Sequence, residues 1–416
     1  MSSEIQKPQQ PEGAPDTEEQ VAPTPPTENE AKGFPRRSLL KGASVTATLG
    51  VLGGLALPAH ALPASAATIQ TSTSTRRTSS NSTTPDSFKF SLESAPPQRF
   101  AGGTVRTATS ADIEELSGIS ISSELIAPGA MHELHWHPNA NELNYCLSGQ
   151  GEVGIFFSGS ENALFPIQPG SVSFVPIGST HYIRNTGSAD LHIITAFSHE
   201  DPEHLDFSDT LGFIPRNLLA QTFGLKTQDF PSLPRQGDQF LVRLGQAPIA
   251  QPTSVGGPFT ANFKDISPNV SAGGTVTELT PKIIPTLEGI TLFFLQGQPG
   301  SLREPHWHQN ASELHYCVQG TAQVEILAPD EHRESFVISP GEGSFVPQNY
   351  FHYVHSISND PLVLLVFFSN NTVAHVDFSQ VMGFFPRELL AASFGSNLHI
   401  FDNIPNVGDV SIAPKV

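Results

Sequence analysis

From about residue 86 to residue 400 the chain alternates short apolar stretches with polar, turn-forming ones. Ile119–Ile126, Glu142–Leu147, Glu152–Phe157, Ser171–Pro176 and His192–Phe197 are strand-length runs, with Gly, Pro, Asn and Ser clustered between them. Runs of this length, bounded by residues that turn the chain, predict β-strands rather than helices. A later set ends in the apolar run Leu362–Phe368. Two short helical pieces interrupt the pattern, Pro215–Ala220 and Pro386–Ala391, each opened by a proline whose fixed φ suits a first helical turn. The expectation is an all-β fold of sandwich or jelly-roll type with short flanking helices.

The pattern occurs twice. An offset of 171 residues relates His135 to His306, Ala101–Val105 to Ala272–Val276, Phe174–Pro176 to Phe345–Pro347, His181–Tyr182 to His352–Tyr353, and Phe223–Gly224 to Phe394–Gly395. A repeat this long means two whole domains, since solenoids and propellers repeat every 20–50 residues or so. We divide the chain into a domain over 86–240 and a second over 241–416. They follow a disordered and signal region over 1–67 and a Ser/Thr-rich linker over 68–85.

The N-terminal region carries its own signals. Residues 1 to about 33 are polar, acidic and proline-rich, a composition that does not fold. Arg36 and Arg37 then precede a moderately apolar run, and small residues follow in Ala59–Ala61 and Ala64–Ala66. That order is the anatomy of a cleaved signal peptide, here of the twin-arginine type. The expectation is export to the periplasm, cell wall or exterior, with no membrane attachment after processing. The formal net charge of −19 argues against a nucleic-acid partner. It also means that an anionic substrate needs a local cation.

The candidate chemistry lies in the strings HWHPNANE and HWHQNASE. On a strand, side chains alternate, so His135 and His137 share a face while Trp136 points away. Glu142 follows across a short turn, and His181 comes 39 residues after it. The second copy repeats the set as His306, His308, Glu313 and His352, again with 39 residues between the last two. Three imidazoles and a carboxylate suit a divalent transition metal and leave coordination positions open. Structural sites favour cysteine-rich tetrahedral sets instead.

GAMHELHWHPNANE and GSLREPHWHQNASE, each followed by a glycine (Gly149, Gly320) and then by Pro and His, resemble the two characteristic cupin motifs. Two such motifs in one chain resemble the bicupins of the oxalate decarboxylase family over about residues 85–400. The resemblance implies two tandem cupin (jelly-roll) β-barrels, each binding manganese, with iron as the alternative metal. It further implies oxalate as a small carboxylate substrate, dioxygen as cofactor, conversion to formate and CO2, and assembly as a homo-oligomer. The rival activities are those of an oxalate oxidase, another cupin dioxygenase or a non-catalytic storage-like bicupin.

The copies differ around the motif. The resemblance assigns a substrate-holding arginine three residues before the first ligand histidine. The second copy has Arg303 there, and the first has His132. A guanidinium can pair with a carboxylate in two-pronged fashion. The resemblance also calls for a proton-carrying lid carboxylate after the last ligand histidine. The first copy offers Glu200, Asp201 and Glu203, and the second has Ser369–Thr372 with none. Cys146 and Cys317 share the parity of the ligand glutamates and read as small buried residues in separate domains, out of disulfide reach. His315, with the same parity, is expected to line the second cavity, where the first copy has Asn144.

Overall fold

The structure, a computed structural model, describes residues 88–158, 162–233, 240–245, 257–329, 332–402, 404 and 411–416. The twin-arginine segment, its cleavage sites and the Ser/Thr-rich linker lie outside the described residues. No helix among the described residues is long and apolar enough to cross a membrane.

Each copy folds as a seven-stranded and a six-stranded antiparallel sheet. In the first copy the larger sheet is centred on Glu142–Ser148 and Leu191–Phe197, which pair along their lengths. The smaller one is centred on Ala130–Trp136 and Thr180–Asn185. Inward side chains of the two sheets meet in an apolar core that includes Val105, Ile126, Val153, Ile155 and Ile183. The jelly-roll expectation holds as two packed sheets rather than one closed ring of strands.

The copies are joined by exchange. Lys89–Phe90 pairs with Gly343–Val346 of the second copy, and Thr260–Asn262 pairs with Ser171–Val175 of the first. These two segments are themselves related by the 171-residue offset, so each copy lends its leading strand to the other's larger sheet. Leu241–Arg243 likewise pairs with Ala130–Trp136 of the first copy. The division at residue 240 thus assigns to the second domain two segments that are hydrogen-bonded into the first, because the edge positions of a sheet are filled by backbone pairing that leaves no periodic mark.

Ile121, Leu143 and Phe174 of the first copy share one apolar cluster with Leu292, Leu314 and Phe345 of the second, continuous with the second copy's own core at Val324, Ile326 and Val354. Leu143 and Leu314 are one residue out of phase with Glu142 and Glu313, as strand alternation requires. Phe174 and Phe345 are fully buried, and truncating either to alanine would cost about 3–5 kcal/mol.

Strands Ser120–Ile126, Ser171–Val175 and Leu191–Phe197 fall within a residue or so of expectation. The helical pieces are Arg216–Thr222 and Arg387–Ser393, each with its proline at the cap. Each is preceded by a further helix, Phe207–Phe213 or Phe378–Phe384. The motif glycines also find a reason. Gly149 and Gly320 adopt φ of 87° and 80°. A Cβ there would meet the Asp190 carbonyl oxygen at 2.5 Å and the Pro361 carbonyl oxygen at 2.7 Å, so only glycine fits.

Candidate metal centres

The smaller sheet of each copy supplies the histidines and the larger one the glutamate. His135 and His181 are directly opposed across the strand pair, as are His306 and His352. A register shift lies beside each pair, between His181 and Ile183 and between Arg303 and His306. Such bulges re-aim side chains next to functional sites. All four candidate ligands of each set are buried, and their ligand atoms lie within 4.8 Å of one another. The structure thus brings together His135, His137, Glu142 and His181 in one copy, and His306, His308, Glu313 and His352 in the other.

The hydrogen bonds set the ring tautomers. His135 Nδ1 lies 2.7 Å from the Glu133 carbonyl oxygen, His137 Nδ1 2.7 Å from that of Glu203, and His181 Nδ1 3.0 Å from that of Ser179. A carbonyl only accepts, so Nδ1 carries the proton and Nε2 of the neutral ring offers its lone pair inward. In the second copy, His306 Nδ1 donates to the Glu304 carbonyl at 2.7 Å and His352 Nδ1 to that of Tyr350 at 3.0 Å. Nε2 of His137 and His181 both lie 2.9 Å from Glu142 Oε2. Nε2 of His308 and His352 lie 3.0 and 2.8 Å from Glu313 Oε2.

Nε2 of His135, His137, His308 and His352 and Oε2 of Glu313 are buried without hydrogen-bond partners. Buried lone pairs pointed at one another are costly unless something lies between them. A divalent cation resolves that conflict, and the donor set of three nitrogens and one carboxylate fits manganese or iron.

Electrostatics agree at both carboxylates and at the first histidine of each set, whereas at His181 burial is outweighed by the Glu142 carboxylate, which raises the imidazole. Burial alone would raise the carboxyl groups, but the neighbouring imidazoles hold Glu142 and Glu313 well below the usual carboxylate range. Burial pushes His135 and His306 well below the ordinary imidazole range, helped by His132 in one copy and by Arg303 in the other. Anionic carboxylate and neutral imidazole are the forms that bind a metal.

The partners that orient the carboxylates differ. Glu142 Oε1 accepts from Asn144 Nδ2 at 2.6 Å, and Asn144 in turn accepts from Thr195. Glu313 Oε1 lies 2.8 Å from His315 Nε2, whose Nδ1 lies 2.8 Å from Ser344 Oγ. His315 does line the second cavity. Cys146 and Cys317 are buried and unpaired.

The remaining candidates separate. Arg303 lines a cavity of about 420 Å³ together with His306, His308 and Glu313. Glu200 turns away from the first ligand set, and its Oε2 accepts the Gly118 N–H at 2.9 Å. Glu203 contributes its carbonyl to His137, while its side chain is exposed. Neither carboxylate joins the ligands, because both are engaged as loop fasteners or solvated. Two residues that sequence reasoning passed over do approach the sites. His204 stacks on His135 at 4.5 Å with its Nε2 2.6 Å from Asp206. His375 lines the second cavity, its Nε2 3.7 Å from Asp377. The 171-residue offset relates both pairs, and that register was the available signal.

The cupin family profile matches residues 90–229 and 261–398. The chain belongs to the cupin family. It is a bicupin of the oxalate decarboxylase family, with one cupin domain in each copy of the repeat. The oxalate decarboxylase OxdC of Bacillus subtilis (strain 168) is 27% identical over 319 residues, covering 74% of this bicupin and 82% of that protein. An oxalate decarboxylase of Arthroderma benhamiae is 21% identical over 356 residues, covering 76% of this chain and 82% of the other. A structure of the Bacillus subtilis oxalate decarboxylase described for its Mn(II) centres superposes with a TM-score of 0.71 at 24% identity. It covers 80% of this chain and 90% of that one.

Proposed function

We propose that this bicupin is an exported, manganese-dependent enzyme that converts oxalate to formate and CO2. The observation that carries the reading is the second cavity, which brings the Arg303 guanidinium together with three members of a His3Glu ligand set. In a protein of net charge −19, a half-buried arginine beside a cation site is the local positive charge that a small dicarboxylate needs. Manganese held by His306, His308, Glu313 and His352 would supply a Lewis-acidic, redox-active centre for a carboxylate and dioxygen. Arg303 binds and orients the far carboxylate. His375, supported by Asp377, stands in the cavity wall where a lid carboxylate is missing and carries the proton. In the net reaction the C–C bond of hydrogen oxalate breaks and CO2 leaves. The electron pair stays on the remaining carbon, which takes up the proton and becomes formate.

Both relatives quoted above are named oxalate decarboxylases, which supports the same reading. The twin-arginine pattern adds a rationale for the metal. Manganese(II) is the weakest binder of the divalent series, and folding before export would load it away from competing copper and zinc. Self-assembly is also part of the reading, supported by Phe213, Phe223, Phe384 and Phe394, which are more than three-fifths exposed on the paired helices.

Manganese-loaded protein incubated with oxalate in acidic buffer tests the proposal. The expected result is one formate per oxalate consumed, with little peroxide. Hydrogen peroxide with two CO2 per oxalate would replace it with the oxidase reading. Neither product would leave a metal-binding protein without this activity.

A further inference from the structure

The two metal sites share a backbone and differ in what stands over them. Glu133 N donates to the Phe240 carbonyl at 3.1 Å, and Glu304 N donates to that of Ser411 at 3.1 Å. Leu241 is in register with His132 just as Ile412 is with Arg303. Phe240 and Ser411 are therefore the same position in the two copies, as are Phe100 and Ser271.

In the first copy these positions hold a stack. Phe240 lies 5.5 Å from Phe100, 3.9 Å from His132 and 4.7 Å from His204 between ring centroids. His132 in turn lies 3.8 Å from the ligand ring of His135. The surface hollow on this side is lined by Phe240, His204, Asp206 and Phe213, and none of the four ligands lines it. In the second copy, Ser271, Ser411, Arg303 and His375 instead border the cavity that reaches His306, His308 and Glu313. Two phenyl rings in one copy stand where two hydroxymethyl groups stand in the other. A small anion crossing the first stack would have to shed its water among aromatic rings, with His132 where the second copy offers the Arg303 guanidinium.

We propose that Phe240 is a plug that closes the first metal site to small anions, and that substrate binds and turns over only at the second site, where Ser411 leaves the path open. This rests on the carboxylate-converting function given above. The first metal then serves to hold its two sheets together.

The test is titration of the manganese-loaded full chain with azide and, separately, oxalate, followed by Mn(II) electron paramagnetic resonance. One of the two manganese populations should respond and the other stay silent. In the Phe240→Ser protein both should respond. If both respond in the unsubstituted protein, the plug is overturned while the carboxylate reading stands. If neither does, both fall. A first site that stays silent in Phe240→Ser also overturns the plug. The unsubstituted titration decides the matter even if that variant folds poorly. Ser411→Phe, which should silence the second population, is the less clean variant because residue 411 has φ of 49°, a strained region for a bulky side chain.

Discussion

Arg303 Nη1 lies 2.9 Å from Oδ1 of Asp377, a carboxylate with no exposed surface. A second bond from the same nitrogen to the Ser411 carbonyl, at 3.1 Å, fixes the guanidinium along the cavity wall. The side chain is therefore held in place before substrate arrives, and its remaining N–H groups are free to meet a carboxylate. Preorganisation of this kind lowers the entropy cost of binding.

Replacing Arg303 by glutamine should remove one charge-assisted pairing, worth about 1.5–3 kcal/mol. At about 1.4 kcal/mol per decade, kcat/KM for oxalate should fall roughly 10- to 150-fold. Arg303→Lys should recover part of the loss, since it keeps the charge but not the planar fork. Steady-state kinetics of formate release check this. An unchanged KM and kcat in Arg303→Gln would place substrate elsewhere.

Metal stoichiometry gives a second check. Glu142 and Glu313 are the sole carboxylates of their ligand sets. Glu142→Gln and Glu313→Gln should each lose about half of the bound manganese, measured by elemental analysis. Only Glu313→Gln should abolish formate production, because only the second site opens onto the Arg303 cavity. Both variants should unfold at lower temperature than the parent, by the linkage that ties a native-state ligand to stability.

The ligands were readable in the sequence because a strand converts spacing into direction. His135 and His137 two apart, and Glu142 after a short turn, leave one arrangement in which all three face inward. The fixed offset then made the second set a copy of the first. What could not be read was depth. Phe240 reaches His132 from an edge segment over a hundred residues away in the chain, and nothing in the periodicity around it signals a metal site. His204 and His375 were legible only through the offset. In the acidic cluster of Glu200, Asp201 and Glu203, Glu200 fastens a loop to Gly118, a role that charge alone does not signal. The strand exchange involving Lys89–Phe90 was equally silent, since a two-residue pairing has no pattern of its own.

The cysteines should be inert in the folded protein. Burial pushes both Cys146 and Cys317 up to about 12, so the reactive thiolate is scarce at neutral pH. A thiol reagent added at pH 8 should label neither residue within minutes and both once denaturant is present. Rapid stoichiometric labelling of the native protein would show that one copy opens readily.

Glu124 supplies a pH dependence of the metal-free protein. It is fully buried beside His132, its Oε2 3.2 Å from His132 Nδ1. Burial, reinforced by the charge of Glu142, pushes its carboxyl up to about 8. An unfolded chain would ionise the same group near 4.5, so between these values the folded state binds more protons than the unfolded one. Stability from this residue is fully present below about pH 4.5 and is lost as pH rises towards 8, at no more than about 1.4 kcal/mol per pH unit. Glu124→Gln keeps the shape and a hydrogen-bonding amide but cannot ionise. Denaturant titrations of the two apoproteins should therefore show the variant gaining on the parent steadily from pH 5 to pH 8. A stability difference that stays constant over that range would mean that the folded Glu124–His132 pair binds no more protons than the unfolded chain, so that Glu124 is not held protonated by its burial.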